Sequence, residues 1–213
     1  AFEQDGLFFD IQVPPEWVPK IDPLSIRKVH VGDRSEVYRA RLVGESAFPV
    51  ILKIAYTEEG SLKRELHIRE RLAMMQDMGL VPRSHVVQLY DLEVFEDTSL
   101  FLLPATNCSL HELLEQRGQL PLSESLKILI DMLRGLSHLE QAGVMHNDLS
   151  DKSILLQDGR AFITDFGSSC LAHAGEAGFS CSDMVDKPWD LVGSAYYHAP
   201  EMTGGTPTGS KGN

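Results

Sequence analysis

Cysteine is scarce in this sequence, and long apolar runs are absent. Three cysteines, Cys108, Cys170 and Cys181, occur among 213 residues. Their number is odd and their spacing does not match a zinc site, so we expect neither a disulfide framework nor a structural zinc ion. The longest apolar stretch, LKILIDML at 126–133, contains a lysine and an aspartate. It is much shorter than the roughly 20 apolar residues that span a bilayer, so no transmembrane segment is expected.

Basic residues are also in short supply. Lysine and arginine total 19 against 31 aspartates and glutamates, which gives a net charge of −12. Nucleic acids attract basic surfaces, so this balance argues against a nucleic-acid partner. A single nucleotide needs only a few local cations and backbone N–H groups, so it stays compatible with the composition. The first residues lack the basic start and apolar centre of a signal peptide, which leaves open that one has been removed by processing. We expect a cytoplasmic protein.

The apolar pattern divides the chain into a strand-rich part and a helix-rich part. Alternating residues within 26–56 and 85–105 predict strands, and helical spacing between them, at 58–79, predicts a helix. After residue 106 two helical segments precede two short strands that flank the turn Asp158-Gly159. We predict an α+β protein with a proline-rich extension at 1–22, a strand-rich part at 23–103 and a mostly helical part at 104–213.

Four charged residues occur in short motifs, each on the element that its chemistry requires. Lys53 lies in the predicted strand VILKI, Glu65 in the helix KRELHIRERL, Asp148 in the loop HNDL and Asp165 in TDFG. Together with the later segment YYHAPE, they follow the order found in protein kinases. From about residue 24 onward the chain resembles the eukaryotic protein kinase family, and GSAYYHAPE resembles its serine/threonine branch.

The resemblance implies a two-lobed fold that transfers phosphate from ATP, with Mg²⁺, to serine or threonine of a protein substrate. Lys53 would neutralise the α- and β-phosphates, and Glu65 would hold it by an ion pair, with Glu70 as the alternative partner. Asp165 would bind Mg²⁺, and Asp148 would orient the attacking hydroxyl and accept its proton.

The segment LFLLPATNCSL, residues 100–110, resembles the strand and connector that hold the adenine base in kinases. This likeness places Leu102 at the gatekeeper position beside the base. Backbone groups of Leu103 and Ala105 would hydrogen-bond adenine, and Val37 would cover the base. The alternative for this segment is an ordinary connector between two lobes.

The glycine-rich loop departs from the family pattern. Kinases carry G-x-G-x-x-G-x-V, whereas this chain has HVGDRSEV, so only Gly32 remains, with His30 and Ser35 at the other glycine positions. Side chains there obstruct the close approach of backbone N–H groups to phosphates. Asp33 and Glu36 also bring negative charge, so we expect weak phosphate binding.

The catalytic loop departs at three positions. Asn147 replaces an arginine that pairs with a phosphorylated activation segment in many kinases, and Ser150 replaces a lysine directed at the transferring phosphate. Ser153 replaces the asparagine that is the second metal ligand. A serine hydroxyl can still serve Mg²⁺ directly or through water, so we expect a weakened metal site. The alternative is a pseudokinase that binds a nucleotide or a protein partner without transferring phosphate.

Two further expectations come from the resemblance. Kinases continue with several helices after the Ala-Pro-Glu motif, and this sequence ends soon after it, so the helical lobe is expected to be truncated. The degenerate glycine loop, with the lysine and both aspartates kept, is similar to secreted rhoptry and dense-granule kinases of apicomplexan parasites. That likeness makes a secreted protein the alternative to a cytoplasmic one.

Overall fold

The computed structural model describes residues 7–8, 11–12, 17–31, 35–44, 49–56, 59–78, 85–95, 98–172, 181 and 197. Within this part, the helices are α1 (Glu59–Asp77), α2 (Leu110–Arg117) and α3 (Leu122–Gln141). The strands are β1 (Leu7–Phe8), β2 (Ile11–Gln12), β3 (Ile21–Val31), β4 (Ser35–Leu42), β5 (Pro49–Ala55), β6 (Asp91–Val94), β7 (Ser99–Pro104), β8 (Cys108–Ser109), β9 (Val144–Met145), β10 (Ile154–Gln157), β11 (Arg160–Ile163) and β12 (Cys170–Leu171). The predicted α+β class is confirmed.

The chain forms two compact units whose boundaries differ from the predicted ones. The first comprises 1–58 and 88–105, and the second comprises 59–87 and 106–213. The predicted division placed α1 with the strands. Instead, Ile68 of α1 belongs to the same core cluster as Phe166, so burial of this helix's apolar side groups it with the second unit.

A five-stranded sheet in the order β3-β4-β5-β7-β6 forms the first unit, and its strand pairs are antiparallel. Val37 of β4 and Phe101 of β7 both lie opposite Lys53 of β5. Directly paired residues point to the same side of a sheet, so these three side chains share one face. The other face supplies the buried core residues Tyr38, Ala40, Val50, Leu52, Ile54, Leu100 and Leu102.

The end of the predicted N-terminal extension is part of this core. Trp17 is 2% exposed, and Trp17 and Ile21 pack in the same cluster as the inner face of the sheet. The indole Nε1 of Trp17 donates to Oδ2 of Asp91 at 2.8 Å. Because β3 already begins at Ile21, this strand crosses the predicted boundary at residue 22.

The second unit is built around α3. Asp131 of this helix accepts a hydrogen bond from the Ala161 N–H of β11 at 3.1 Å. Gly143 has a φ of 67° and follows the helix end, as its sequence position predicts. Asp158 and Gly159 both have positive φ and join β10 to β11, so the predicted hairpin turn is confirmed.

Two short strand pairs bring the functional loops together. β9 precedes the loop that contains Asp148, and β12 follows the loop that contains Asp165. These strands pair through Met145 opposite Cys170. The start of the loop with Asp148 and the end of the loop with Asp165 are therefore joined by one pair of strands.

One disulfide is present where no disulfide framework was expected. Cys170 and Cys181 form a disulfide. An odd number of cysteines still permits one pair, and chain folding brings these two together beside Met145. Cys108 is the remaining cysteine and is partly buried. Of the helices that the structure describes, none has the length and apolar character of a membrane span.

Candidate functional site

In the first unit, Lys53 occupies the centre of the sheet face opposite the core. Val37 flanks it on β4 and Phe101 flanks it on β7. Val37 and Lys53 are partly buried, and Phe101 is fully buried. A lysine in such a position packs its carbon chain on apolar neighbours and presents its charged end. This arrangement is compatible with the roles predicted for Val37 and Lys53.

The strand register places Leu102, the predicted gatekeeper, on the sheet face away from Lys53. Leu102 lies opposite Leu52 and packs in the core with Tyr38, on the face away from Lys53. The gatekeeper role of Leu102 stays a prediction that this position does not favour, because neighbouring residues of a strand point to opposite faces. Leu103 pairs with Ile51 and shares the face of Lys53.

The connector after β7 is already hydrogen-bonded. The Ala105 N–H donates to the Pro49 carbonyl at 3.3 Å, and the Asn107 N–H donates to the Leu156 carbonyl at 2.8 Å. Pro104 has no N–H to offer. The adenine contact of Ala105 stays a prediction, and its N–H would have to leave Pro49 to make it.

Glu36, one of the acidic residues near the degenerate glycine loop, is paired within the sheet. Gly32 and Asp33 lie outside the described residues. Glu36 points to the core side of β4, where it accepts a hydrogen bond from Tyr38 and lies 3.0 Å from the Lys28 ammonium. The hydrogen bonds from Tyr38 and Lys28 lower the pKa of Glu36. Because Glu36 is paired and lies on this face, its position gives no reason to expect that it repels bound phosphates.

In the second unit, His146 connects the two acidic loops. Its Nε2 lies 2.9 Å from the Thr164 carbonyl, and its Nδ1 lies 3.3 Å from the Asp148 N–H. With Nε2 donating and Nδ1 accepting, the ring is the neutral tautomer. Burial lowers the pKa of His146, against the opposing charges of Asp165, Asp148 and Glu65. One neutral imidazole thus fixes the backbone beside both aspartates, and sequence reasoning did not single it out.

Asp148 and Asp165 differ from His146 in their exposure. Asp148 is partly buried and Asp165 is exposed, so solvent reaches both side chains. Asp165 has a φ of 69°, a conformation that is uncommon outside glycine and is concentrated at functional sites. Phe166, the next residue, is completely buried. Asp165 is therefore held in an unusual backbone conformation by a buried neighbour.

These carboxylates fit a metal that arrives with a nucleotide. Among the described residues, no three His, Cys, Asp or Glu side chains are grouped closely enough to hold a metal ion alone. Mg²⁺ at nucleotide sites takes one or two carboxylates together with phosphate oxygens and water. The exposed, hard oxygen atoms of Asp165 match that requirement.

Glu65 is buried on α1, and its carboxylate is bound by an arginine that lies outside the sequence motifs. Arg69, one helical turn later, places Nε and Nη2 at 2.9 and 2.8 Å from Oε1 of Glu65. The i,i+4 spacing of the two residues is the sequence signal that could have revealed this pair. Glu70 is exposed, which favours Glu65 as the functional glutamate. The ion pair between Glu65 and Lys53 stays a prediction.

Ser153 serves the backbone of its own loop. Its hydroxyl accepts from the Ser150 N–H at 2.8 Å and lies 3.3 Å from the Asp148 carbonyl. The residue is 3% exposed. The metal role of Ser153 therefore stays a prediction, and it requires these bonds to rearrange.

Asn147 links the catalytic loop to the segment that follows Asp165. Its φ is 63°, which asparagine tolerates better than most residues. Its Nδ2 lies 3.2 Å from the Ser168 carbonyl and 3.0 Å from Sγ of Cys170. The side chain that replaces the family arginine is thus engaged with the base of the activation segment.

Sequence comparison identifies the family that this chain matches. A family model described as "Protein kinase domain" matches residues 25–213. "Probable serine/threonine-protein kinase pknA2" of Bifidobacterium longum is 28% identical over 83% of this chain and 23% of its own length. "Serine/threonine-protein kinase GIN4" of Saccharomyces cerevisiae is 32% identical over 61% of this chain and 11% of its own length. "Protein kinase gsk3" of Schizosaccharomyces pombe is 26% identical over 85% of this chain and 50% of its own length. The matched regions span at most half the length of these relatives.

Proposed function

This chain belongs to the protein kinase family, and we propose that it transfers phosphate from ATP, with Mg²⁺, to protein serine or threonine with weakened activity. The observation that carries the proposal is the position of His146. Its two ring nitrogens bond to the backbone of Asp148 and of Thr164, the residue before Asp165. The aspartate proposed as the base and the aspartate proposed to bind the metal would thus be supported by one rigid group, and phosphoryl transfer depends on such positioning.

Each residue has a role that its environment supports. Asp165 would hold Mg²⁺, which stabilises the charge of the transferring phosphoryl group when it is bound. Asp148 would orient the substrate hydroxyl and accept its proton. Lys53 would hold the phosphates, with Val37 and Leu103 on the same sheet face to contact the base.

The engagement of Ser153 supports the expectation of weak activity. Its hydroxyl bonds to Ser150 and Asp148 within the loop, so the second metal ligand of active kinases has no direct equivalent in this conformation. Positioning accounts for most of the catalysis in phosphoryl transfer, so a loosely held second metal lowers the rate without removing the chemistry.

Replacing Asp148 by alanine tests the enzyme proposal. Transfer of labelled phosphate from ATP to a general protein substrate should fall about 10²- to 10⁴-fold, the usual contribution of a general base. ATP affinity, measured by calorimetry, should change by less than about twofold, because Asp148 acts on the hydroxyl. Asp158→Asn, in an exposed turn of the same unit, is the matched control and should transfer normally. Equal transfer by wild type and Asp148→Ala would point to a contaminant and reject the enzyme proposal.

The second candidate is a pseudokinase scaffold. It is favoured by the Ala105 N–H, which bonds to Pro49, and by the buried hydroxyl of Ser153. A thermal-shift titration separates the two candidates. Stabilisation by ATP with Mg²⁺, but no transfer that depends on Asp148, would support a nucleotide-binding scaffold. No stabilisation at millimolar ATP would leave a protein-interaction role.

The disulfide supports the secreted alternative for the compartment. Disulfides persist in oxidising compartments and are rare in the cytosol. Protein isolated from its native source should therefore yield a linked peptide pair containing Cys170 and Cys181 when thiols are alkylated without reduction. Recovery of both residues as alkylated thiols would support the cytoplasm instead.

A further inference from the structure

Arg69 brings a buried positive charge to the turn at residues 165–167. Its side chain is 4% exposed, and that of Glu65 is 6% exposed. Two guanidinium nitrogens bond to the same oxygen, Oε1 of Glu65, and Nη1 lies 3.4 Å from the Val87 carbonyl. This double contact restrains the carboxylate group of Glu65.

The second oxygen of Glu65 faces the turn that carries Asp165. A Cβ atom at Gly167 would lie 3.9 Å from both Oε2 of Glu65 and Oδ1 of Asp165. Glu65 and Asp165 therefore both lie beside the same glycine, and Arg69 supplies the positive charge that pairs with Glu65.

Arg69 also contacts the residue next to Asp165 directly. Its guanidinium carbon lies 5.2 Å from the centre of the Phe166 ring, within the range of a cation–π contact. The same ring meets His146 at a centroid distance of 5.3 Å. Phe166 is thus packed against Arg69 and against the histidine that supports both acidic loops.

We propose that Arg69 is a positioning residue, which holds the metal-binding carboxylate of Asp165 in place through Phe166 and Glu65. The inference rests on the proposed function, because it assumes that Asp165 binds a divalent metal together with ATP. A planar guanidinium can stack on an aromatic ring while two of its nitrogens bond to one carboxylate. A lysine ammonium keeps the charge but lacks this plane and these two donors that meet on one oxygen.

The charge of Arg69 and its positioning role predict opposite changes in Mg²⁺ affinity when the arginine is lost, so the direction of the change distinguishes them. Removing a cation near a metal site should strengthen binding of Mg²⁺ through electrostatic attraction. Loss of positioning should weaken it, and residues that orient a metal ligand typically contribute about 10- to 100-fold in metal affinity.

The experiment compares Arg69→Lys and Arg69→Met with Arg71→Lys. Arg71 lies on the same helix and donates to the Ala142 carbonyl in a partly buried contact, so it is a matched control. The Mg²⁺ concentration for half-maximal thermal stabilisation is measured at saturating ATP, and ATP binding in EDTA is measured by calorimetry. Neither readout depends on phosphate transfer.

We expect Arg69→Lys to raise the half-maximal Mg²⁺ concentration about tenfold and Arg69→Met to raise it further. ATP binding in EDTA should stay within about twofold, and Arg71→Lys should match wild type. If Arg69→Met does not fold, Arg69→Lys decides the question.

Three results would overturn the inference. An unchanged Mg²⁺ midpoint with a lowered melting temperature would show a purely structural role, and a lowered midpoint would show that charge dominates. Both leave the proposed function standing, since wild type still binds ATP with metal. Absence of metal-dependent stabilisation in wild type would remove the proposed metal role of Asp165 and this inference together.

Discussion

The two units hold their functional residues by different means. In the first, Val37, Lys53 and Leu103 are placed by the pairing of β4, β5 and β7, so their faces follow from backbone register. In the second, Asp148 and Asp165 lie in loops whose backbone is bonded by the side chain of His146. Residues on a sheet are displaced when the core of the sheet unfolds, whereas residues in a loop can be displaced when a single hydrogen bond is broken. Mutations in the first unit should therefore act mainly on stability, and those in the second also on site geometry.

Trp17→Ala should give the largest loss of stability, because the core of the first unit depends on it. Trp17 is almost completely buried against the sheet and donates to Asp91. Loss of a buried tryptophan typically costs about 3–5 kcal/mol of the free energy of unfolding. Urea unfolding followed by circular dichroism measures it.

The matched control for Trp17 is Leu24→Ala in the same segment. Leu24 is 71% exposed, so its loss should change the free energy of unfolding by less than about 0.5 kcal/mol. Similar, small effects of both substitutions would show that the arm is not part of the core, and the comparison between the units would then lose its basis.

Gly135→Ala should destabilise the second unit by a smaller amount. A Cβ atom there would lie 2.8 Å from both the His85 carbonyl and Cδ1 of Ile163. Overpacking of this kind costs about 1–3 kcal/mol, while alanine in a helix gains at most about 1 kcal/mol over glycine. The steric cost wins because one neighbour is backbone, which cannot move aside.

Ser137→Ala, an exposed position on the same helix, is the control for Gly135→Ala. It carries the gain in helix propensity without the clash. Chemical unfolding of the two variants should therefore give changes of opposite sign. A more stable Gly135→Ala variant would mean that α3 and β11 are less tightly packed than the distances indicate.

Features that depend on neighbouring residues were predictable from the sequence. The turn at Asp158-Gly159 and the helix end at Gly143 need positive φ, and local chemistry alone favours that. The motifs around Lys53 and Asp148 fall on the predicted strand and loop. In such places local preference and tertiary structure agree, so the pattern is sufficient.

Features that depend on pairing or long-range packing were not predictable. Leu102 and Leu103 are equally apolar neighbours, and only the register of β7 against β5 decides which one shares a face with Lys53. Trp17 resembled part of an extended arm because its partners come from strands far along the chain. Pairing of Cys170 with Cys181 likewise depends on folding that brings both cysteines beside Met145.

Stability of the second unit should fall in mild acid because of His146. Burial lowers the pKa of His146, so the folded state holds the ring neutral while the unfolded ring titrates near 6.5. The stability from this group is therefore complete above about pH 6.5 and is lost as the pH falls below it, by at most about 1.4 kcal/mol per pH unit. Burial also lowers the pKa of His138, which adds to the same trend.

His146→Asn measures the share of His146 in this acid sensitivity. The variant should be less stable overall, but its free energy of unfolding should change less than that of wild type between about pH 7.5 and 5.5. Urea unfolding at each pH gives both slopes. Identical slopes would mean that His146 is not held neutral, which would weaken the contrast between loop and sheet positioning.

The smallest effect is expected for Ser180→Ala and Ser182→Ala, singly and together. Both serines lie outside the described residues, in a segment whose sequence also holds Glu176, Asp183, Asp186 and Asp190. A phosphate there would meet like charge, and the neutral amide of Asn147 cannot form the bidentate, charge-assisted pair that an arginine offers. That amide contacts the Ser168 carbonyl and Cys170, so the base of the segment is fixed without phosphate.

Initial rates of phosphate transfer by the serine variants should stay within about twofold of wild type, roughly 0.4 kcal/mol in the activation barrier. A hundredfold loss that acidic replacements restore would reveal another cation in the role denied to Asn147, and control by phosphorylation would then reach the second unit after all.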